Sequence, residues 1–276
     1  MAKAGSTDVH DMNSGFPGAQ SPARLVKVLR LLTRHHVQGL SIADLTALSG
    51  LDRSTARRLL MVLVQAGYAA KDADTGRYRL GVEAMLTGLA AMAKPPIFGV
   101  CHPVMVSLAR RTGDTVFLII RVGDFAHCLH VQPGSTVLPA HSLMTGQIRL
   151  LGQGTASLAL AASLRDAELE QIFQRRRLDY EAAGISQERL MDMVRQTRRR
   201  GHSLSVNLLT SGATGVGLAI EFQTAHSAHI AAISVANHDA QMDAAHQAQA
   251  LQVLRDELAQ AGIAQVSGGA GDRVGR

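Results

Sequence analysis

Residues 51–80, LDRSTARRLLMVLVQAGYAAKDADTGRYRL, change their hydrophobic pattern at Gly67. Before this glycine, the apolar residues from Leu59 to Val64 are dense enough to bury one side of a helix, whose opening turns carry arginine, serine and threonine. After it, YAAKDADTGRYRL reads as two short strands joined by an Asp/Thr/Gly turn. The stretch therefore predicts a helix with a cationic, hydrogen-bonding beginning, followed directly by a hairpin.

Two further helices are predicted upstream. Ser21-Pro22 is typical of a helix start, and apolar residues follow at helical spacing to about Val37. The sequence SIAD at 41–44 resembles a capping box and opens a short helix, while Asp52 is the expected N-cap of the third. Three helices followed by a two-stranded hairpin within residues 21–81 indicate a winged helix-turn-helix domain.

The positive charge of the chain is concentrated in this same segment. The chain has a net charge of +6, and residues 21–81 carry ten Lys or Arg against four Asp or Glu, whereas the remainder carries eighteen of each sign. Concentrated positive charge attracts a polyanion, most commonly nucleic acid, although an acidic protein or an anionic membrane surface would satisfy the same electrostatics. In a winged helix-turn-helix, the third helix enters the major groove, so this plan favours DNA over a merely solvated surface helix.

The plan also selects the residues that should contact DNA. The start of the third helix should contact base edges and phosphates, and the wing should contact the DNA backbone. The start of the second helix should add one further contact to DNA, from Ser41. The predicted DNA-binding residues are Ser41, Arg53, Ser54, Thr55, Arg57, Arg58, Lys71, Arg77 and Arg79. The alternative is that one or more of these arginines pairs with Asp44 or Asp52 within the protein.

The rest of the chain is expected to form a linker and a second domain. Residues 82–94 are rich in Ala, Leu and Met and should form a helix that Pro95-Pro96 stops. Beyond it, the order of helix, strand pair, helices, strands and helix fits a mixed sheet flanked by helices, which gives an α/β (α+β) fold class. The predicted domains are a disordered tail (1–20), a winged helix-turn-helix DNA-binding domain (21–81), a linker helix (82–96), a second domain (97–263) and a disordered tail (264–276).

Other classes of protein are disfavoured by what the sequence lacks. No apolar run reaches the roughly 18 residues needed to span a bilayer, and no signal peptide is visible, so a cytoplasmic protein without membrane association is expected. Cys101 and Cys128 do not make a disulfide framework, and neither lies in a paired metal-ligand motif. No nucleophile elbow or phosphate loop is recognisable, so we expect no enzyme, metal or cofactor.

The apolar residues of the linker helix predict an oligomer. Met85, Leu86, Leu89 and Met92 recur at helical spacing on a helix too short to be stable alone in water. Either the same helix of a partner subunit or the chain's own second domain must cover them, and the partner is favoured. A homodimer or tetramer would then bind a palindromic operator.

The stretch from about 22 to 262 resembles the IclR family of bacterial transcriptional regulators. GLDRSTARRLL resembles the recognition helix of that family, and AGYAAKDADTGRYRLG resembles its wing and the entry to its linker helix. In the second domain, RRTGDTVFLIIRVGD, RRRGHSLSVNLLTSGATGVGLAI and AAISVANH are similar to family strands. The resemblance implies a GAF-like effector domain, dimer or tetramer assembly, and control of transcription by a small molecule, often an organic acid.

The resemblance also implies where the effector binds. The loop GQGTAS opens a helix, and its small residues would let backbone N–H groups approach an anion. The predicted effector-binding residues are Gln153, Gly154, Thr155, Ala156, Ser205 and Ser234. Ala236 stands where a hydroxyl is often found, which favours a bulkier or more hydrophobic organic acid. The alternative is that Ser205 and Ser234 only bond neighbouring backbone.

Some positions depart from the family pattern. Leu150 and Gly152 replace a Pro-x-His, and Ser157-Leu158 replace a Gly-Lys. These departures allow an unusual effector or a regulator that has lost effector control. The other alternative is a basic interaction module that binds an acidic protein.

Overall fold

The computed structural model describes residues 20–93, 97–135, 144–208, 211–224 and 227–266. The chain divides into two compact units, Met1–Lys94 and Pro95–Arg276. Within the described ranges, no helix is long and apolar enough to cross a membrane. The prolines at 95 and 96 and most of both predicted tails lie outside the described residues.

The N-terminal unit has the predicted order of elements. They are α1 (Gln20–Arg34), α2 (Ile42–Ser49), α3 (Arg53–Gln65), β1 (Ala69–Lys71), β2 (Tyr78–Leu80) and α4 (Val82–Ala93). Strands β1 and β2 pair antiparallel and form the wing, residues 69–80. Helix α1 begins at Gln20, inside the predicted N-terminal tail, so Ser21 lies within the helix rather than capping it.

Local sequence explains how these elements are bounded. Helix α2 has a complete capping box, in which the Ser41 hydroxyl accepts from the Asp44 N–H and the Asp44 carboxylate accepts from the Ser41 N–H. It ends at Gly50 in the left-handed conformation (φ +68°). A Cβ on Gly81 would lie 2.2 Å from the carbonyl oxygen of Gly67, so the tight passage from β2 to α4 requires glycine.

The C-terminal unit is larger and contains the remaining elements. They are α5 (Phe98–Thr112), β3 (Thr115–Val122), β4 (Phe125–Gln132), β5 (Ile148–Leu150), α6 (Thr155–Ala162), α7 (Asp166–Arg175), α8 (Arg177–Ala182), α9 (Gln187–Arg200), β6 (Ser203–Val206), β7 (Ala213–Thr224), β8 (Ser227–His238), α10 (Ala244–Gln260) and β9 (Ala264–Gln265). A short 3-10 turn, Asp239–Gln241, precedes α10.

The strands of this unit form one sheet in the order β5-β4-β3-β8-β7-β6, with β9 beside β7. A mixed sheet was expected, but every pairing among the described strands is antiparallel, since consecutive strands such as β3 and β4 return directly on each other. Alternate residues serve two cores: Val116 and Leu118 pack on the face of α5 and α10, while Phe117 and Ile119 pack on the face of α6 and α9. The prediction of a sheet flanked by helices is confirmed.

Three short elements differ from expectation. The sequence RRRLDYEAAG, residues 175–184, predicts a break between two helices, but residues 177–182 form α8, because Tyr180 is fully buried and anchors that turn to the core. Strand β5 lies within residues 133–151, for which the sequence predicts a loop. The predicted tail from 264 begins instead with β9, where the Val266 N–H donates to the Ala219 carbonyl oxygen. Such short segments carry too little periodicity to be recognised without the strand beside them.

Candidate nucleic-acid interface and candidate effector site

The first turn of α3 is held by Asp52. Its Oδ1 accepts from the Thr55 N–H at 2.9 Å and from the Ser54 hydroxyl at 2.6 Å. The Ser54 bond, followed by the bonds from Thr55, holds the pKa of Asp52 well below its ordinary value of 3.8. The carboxylate is therefore engaged by its own helix, and among the described residues no ion pair joins it to a nearby arginine.

Arg53 and Arg57 are exposed at the beginning of α3 and form no ion pair with any residue that the structure describes. Arg58 is also exposed, and its Nη2 lies 3.5 Å from the Thr55 Oγ1, which is a long contact. The helix buries its other side through residues such as Leu60 and Leu63. The arginines predicted to contact bases are thus exposed on one side of α3, while the opposite side of the helix packs against the core.

The wing is arranged differently from the prediction. Arg77 donates from Nη2 to Asp44 Oδ2 at 2.7 Å and from Nε to the Gly39 carbonyl oxygen at 3.2 Å. The pKa of Asp44 is held below its ordinary value by the Ser41 backbone and hydroxyl bonds and also by Arg77. The proposed alternative of pairing within the protein therefore holds for Arg77, which ties the wing to α2.

The remaining candidates of the wing and α2 are also partly engaged. Arg79 lies 3.8 Å from Asp72, at the outer limit of an ion pair, and Lys71 Nζ lies 5.9 Å from the centre of the Tyr78 ring. Ser41 is half-buried and uses its hydroxyl oxygen as the α2 cap. Of the predicted DNA-binding residues, Arg53 and Arg57 have the most freely available donors.

The start of α6 contrasts with that of α3. Gly154, with φ +103°, precedes the helix, and no side chain among the described residues caps it. The Thr155 Oγ1 and Ser205 Oγ are 2.5 Å apart and share a hydrogen bond. The structure therefore brings these two predicted effector-binding hydroxyls together from α6 and β6, and Ser205 does not simply bond its neighbouring backbone.

The hydroxyl pair of Thr155 and Ser205 lies close to strand β7 of the sheet. Ser205 in β6 pairs with Gly215 in β7. A Cβ on Gly215 would lie 2.7 Å from the Thr155 Oγ1 and 2.6 Å from the Val235 carbonyl oxygen. Ser234 lies in the next row, pairs with Gly217, and is buried. Glycine in β7 thus allows Thr155 to approach the strand closely.

The other two predicted effector-binding residues lie on either side of the α6 start. Gln153 is half-buried and donates its backbone N–H to Leu150, while Ala156 is buried against the core. Residues 153–156 thus form the start of α6, the Thr155 hydrogen bond brings Ser205 to it, and Ser234 lies two residues along β8 from Ala236, the partner of Gly215. Their role in binding a ligand stays a prediction.

The loop that departs from the family pattern is held by its own hydrogen bonds. The Ser157 hydroxyl donates to the Leu150 carbonyl oxygen at 2.9 Å and accepts from the Gly152 N–H at 3.0 Å. The Tyr180 hydroxyl donates to the next carbonyl, that of Leu151, at 2.8 Å. Gly152 has φ +85°, and a Cβ there would meet Leu190 at 2.3 Å. The departures therefore form an ordered turn.

A small cavity lies farther along α6. It has a volume of about 30 Å³, enough for roughly one water molecule, between α6, α9 and β7. Thr197 lines it and is buried, with a hydroxyl that has no hydrogen-bond partner among the described residues. Thr197 is not among the predicted site residues, although it follows the buried Leu190 and Val194 at helical spacing and is therefore a polar residue on the core-facing side of α9.

Neither cysteine has the character of a reactive or metal-binding group. Burial raises the pKa of Cys101 to about 11 and that of Cys128 to about 12, so both thiols stay protonated near neutral pH. Among the described residues, no group of three or more His, Cys, Asp or Glu side chains is arranged to hold a metal ion.

Comparison with known proteins agrees with the architecture. Residues 21–73 match the IclR helix-turn-helix domain, and residues 89–261 match the domain described as bacterial transcriptional regulator IclR C-terminal. The HTH-type transcriptional regulator XynR of Escherichia coli is 28% identical over 255 residues, which cover 90% of this chain and 96% of that protein. The transcriptional repressor IclR of Escherichia coli is 24% identical over 198 residues, which cover 67% of this chain and 68% of that protein.

Solved structures share the fold. The crystal structure of the Thermotoga maritima IclR has a TM-score of 0.52 at 17% identity and covers 87% of this chain and 96% of that one. An IclR family transcriptional regulator from Brucella abortus has a TM-score of 0.52 at 19% identity and covers 93% of this chain and 95% of that one. The curated relatives are transcriptional regulators, which confirms the expectation that the chain is not an enzyme. The chain belongs to the IclR family of bacterial transcriptional regulators and carries that family's helix-turn-helix DNA-binding domain.

Proposed function

We propose that this regulator recognises a specific duplex sequence through the start of α3 and binds a small organic anion at the start of α6. The observation that carries the first part is the exposure of Arg53 and Arg57 without an acid partner among the described residues. Arginine can donate two hydrogen bonds to guanine in the major groove, and each such pair contributes about 1–3 kcal/mol of discrimination. Ser54, Thr55 and Arg58 would add contacts to bases or phosphates.

The effector part rests on the chemistry of the α6 start. No side chain in the described part of the chain caps the first N–H groups of this helix, and a helix N-terminus favours negative charge. The Thr155 and Ser205 hydroxyls would exchange their mutual hydrogen bond for bonds to the oxygens of a carboxylate. Ala236, next to this pair across β7, is half-buried and apolar, which supports a ligand larger than a two- or three-carbon acid.

The same hydrogen bond also supports a second candidate. Because Thr155 and Ser205 satisfy each other, the site needs no ligand to complete its polar contacts. A regulator that has lost effector control would show this arrangement. Thermal melting of the purified chain across a panel of carboxylic acids of increasing size distinguishes the two, because only effector binding raises the melting temperature.

An oligomer is supported by α4. Met85 is 56% exposed and Leu89 is 60% exposed, and Leu86 and Met92 lie on the same helix with large exposed fractions. A helix of this composition is stable only when its apolar side chains are covered. We propose that the α4 of a partner subunit covers them, giving a dimer or tetramer. Sedimentation of the chain as a monomer at micromolar concentration, with full operator binding, would contradict this.

The sequence-specific function is tested by selecting duplexes from a randomised library with the full chain. The selected duplex is expected to contain inverted half-sites and to be bound more tightly than random duplex at equal salt. Binding of an acidic polypeptide with equal or greater affinity, and no enrichment of any sequence, would support the alternative of a basic interaction module.

A further inference from the structure

The sequence of helix α1 carries the largest net positive charge among the helices and strands of the N-terminal unit. It contains Arg24, Lys27, Arg30 and Arg34 and no acidic residue. The wing, by contrast, contains three cations and two acids, and Arg77 is held by Asp44 outside the wing. The charge that makes this unit basic is therefore concentrated on α1 and α3 rather than on the wing.

Three of these cations form a stripe along α1. Arg24, Lys27 and Arg34 are three and seven residues apart, so they lie within roughly a third of the helix circumference. We call these three residues the α1 cation stripe. The stripe lies next to the buried residues Val28 and Leu31 on the surface of the helix. Arg24 and Lys27 are half-buried, and Arg34, in the last turn, is exposed.

The α1 cation stripe has no ion-pair partner among the described residues. A stem that packs along the apolar face while its charged end reaches solvent is common for lysine and arginine. The three cations of the stripe repel each other, and the helix contains no acidic residue to offset this repulsion. An arrangement of this kind is stabilised by an external polyanion.

Helix α1 is placed beside both elements expected to meet DNA. Val28 and Leu32 share a core with Leu60 of α3, and the Leu80 N–H at the end of the wing donates to Nδ1 of His36, just after α1, at 3.2 Å. Packed helices lie 8–10 Å apart, axis to axis, whereas the major groove is about 12 Å wide. When α3 occupies the groove, the phosphates at its border are therefore within reach of long side chains on a neighbouring helix.

We propose that the α1 cation stripe binds the phosphate backbone of the duplex beside the groove that α3 occupies. This inference rests on the proposed DNA recognition by α3 and adds a surface to it. The contact is independent of base sequence, and it takes over much of the backbone binding expected of Arg77. It gives α1 a role in affinity and leaves sequence preference to α3.

The test measures how the affinity of the full chain for a random-sequence duplex and for a library-selected duplex depends on salt. Each lost phosphate contact lowers the slope of log affinity against log salt by about 0.9. The double variant Lys27→Gln with Arg34→Gln should therefore lower this slope by about twice that amount on both duplexes. The ratio of the affinities for the two duplexes should stay unchanged. Arg110→Gln with Arg199→Gln removes the same charge from exposed positions of the other unit and should leave the slope unaltered.

A second pair of variants separates charge from folding. Arg34 lies in the last turn of α1, where a cation also stabilises the helix, so Arg34→Lys should restore the slope that Arg34→Gln loses. An unchanged slope in the folded double variant would overturn the proposal, and so would a change of oligomeric state at constant slope, which would assign the stripe to a partner subunit. Failure of the wild-type chain to bind either duplex would instead overturn the proposed function itself.

Discussion

Two helices of this chain begin at residues that the sequence selects for binding an anion, and the two beginnings are built in opposite ways. At α3, the side chain of Asp52 caps the helix and arginines supply the positive charge in solvent. At α6, no side chain among the described residues caps the helix, the residues after Thr155 are buried, and the helix carries no charged residue.

The difference shows how the same backbone feature can suit two kinds of ligand. A polyanion such as DNA needs several exposed cations, and its attraction is screened by salt. A small anion in an enclosed site can instead use uncapped N–H groups and hydroxyls, where partial charges act at short range with little water. The contrast can be tested by removing the groups on which each helix start depends.

The α6 site should lose its ligand when its hydroxyls are removed. A carboxylic acid at 100 times its dissociation constant is expected to stabilise the wild-type chain by about 2.7 kcal/mol. Thr155→Val with Ser205→Ala should abolish that stabilisation, because both donors are lost together. Thermal melting with and without the acid measures the effect, and an undiminished shift would place the ligand elsewhere.

A substitution of Gly215 should disturb the same site through the backbone of β7. The added Cβ would meet the Val235 carbonyl oxygen and the Thr155 hydroxyl, so Gly215→Ala should lower the free energy of unfolding by about 1–3 kcal/mol. Gly99→Ala is the matched control, because, apart from its chain neighbours and the backbone of its own helix, no atom of the described residues lies within 4 Å of its added Cβ. Equal denaturant midpoints for the two variants would show that β7 tolerates the side chain.

Arg57 and Arg77 should differ although both belong to the predicted DNA-binding set. Arg57→Ala should lower affinity and relax the sequence preference, because Arg57 has no ion-pair partner among the described residues. Arg77→Gln should preserve the preference and slightly lower the melting temperature, because it breaks the bond to Asp44. Binding to the selected duplex and to single-base variants of it measures both effects. A relaxed preference in Arg77→Gln would assign base recognition to the wing.

Acid should weaken the α3 start through Asp52. Since hydrogen bonds hold its pKa below 3.8, the carboxylate contributes stability above that pH, and this contribution is lost as pH falls through the folded value. Asp52→Asn keeps a good capping side chain but removes the titration. As the pH falls below 3.8, the protection of the α3 amides from hydrogen exchange, relative to unfolded amides at the same pH, should therefore decrease less in the variant than in the wild-type chain. An equal decrease in protection would show that other groups control this helix in acid.

The architecture was largely predictable because its signals are local and strong. Capping residues such as Ser41 and Asp52 and the turn within the wing fix the element boundaries within a few residues. The long strands β3 and β8 were recognisable by their apolar composition. These features depend on neighbouring residues only, so they can be read before the fold is known.

The details of the two sites depend on contacts between distant parts of the chain. Arg77 meets Asp44 across 33 positions, and Thr155 meets Ser205 across 50. The buried hydroxyl of Thr197 and the pairing of β9 with β7 depend in the same way on the completed sheet. Spacing along the sequence predicts which residues belong to each site, but it does not predict which partner each side chain contacts.

Whether the two helix starts bind different anions can be determined by a crossed binding measurement on the full chain. Arg53→Ala with Arg57→Ala should remove sequence-specific binding of the selected duplex and keep the acid-induced rise in melting temperature. Thr155→Val with Ser205→Ala should have the opposite effect. This variant should keep its affinity for the selected duplex, measured without the acid, and should lose the rise in melting temperature on addition of the acid. Loss of both activities in either folded variant, or retention of specific duplex binding without Arg53 and Arg57, would contradict the account.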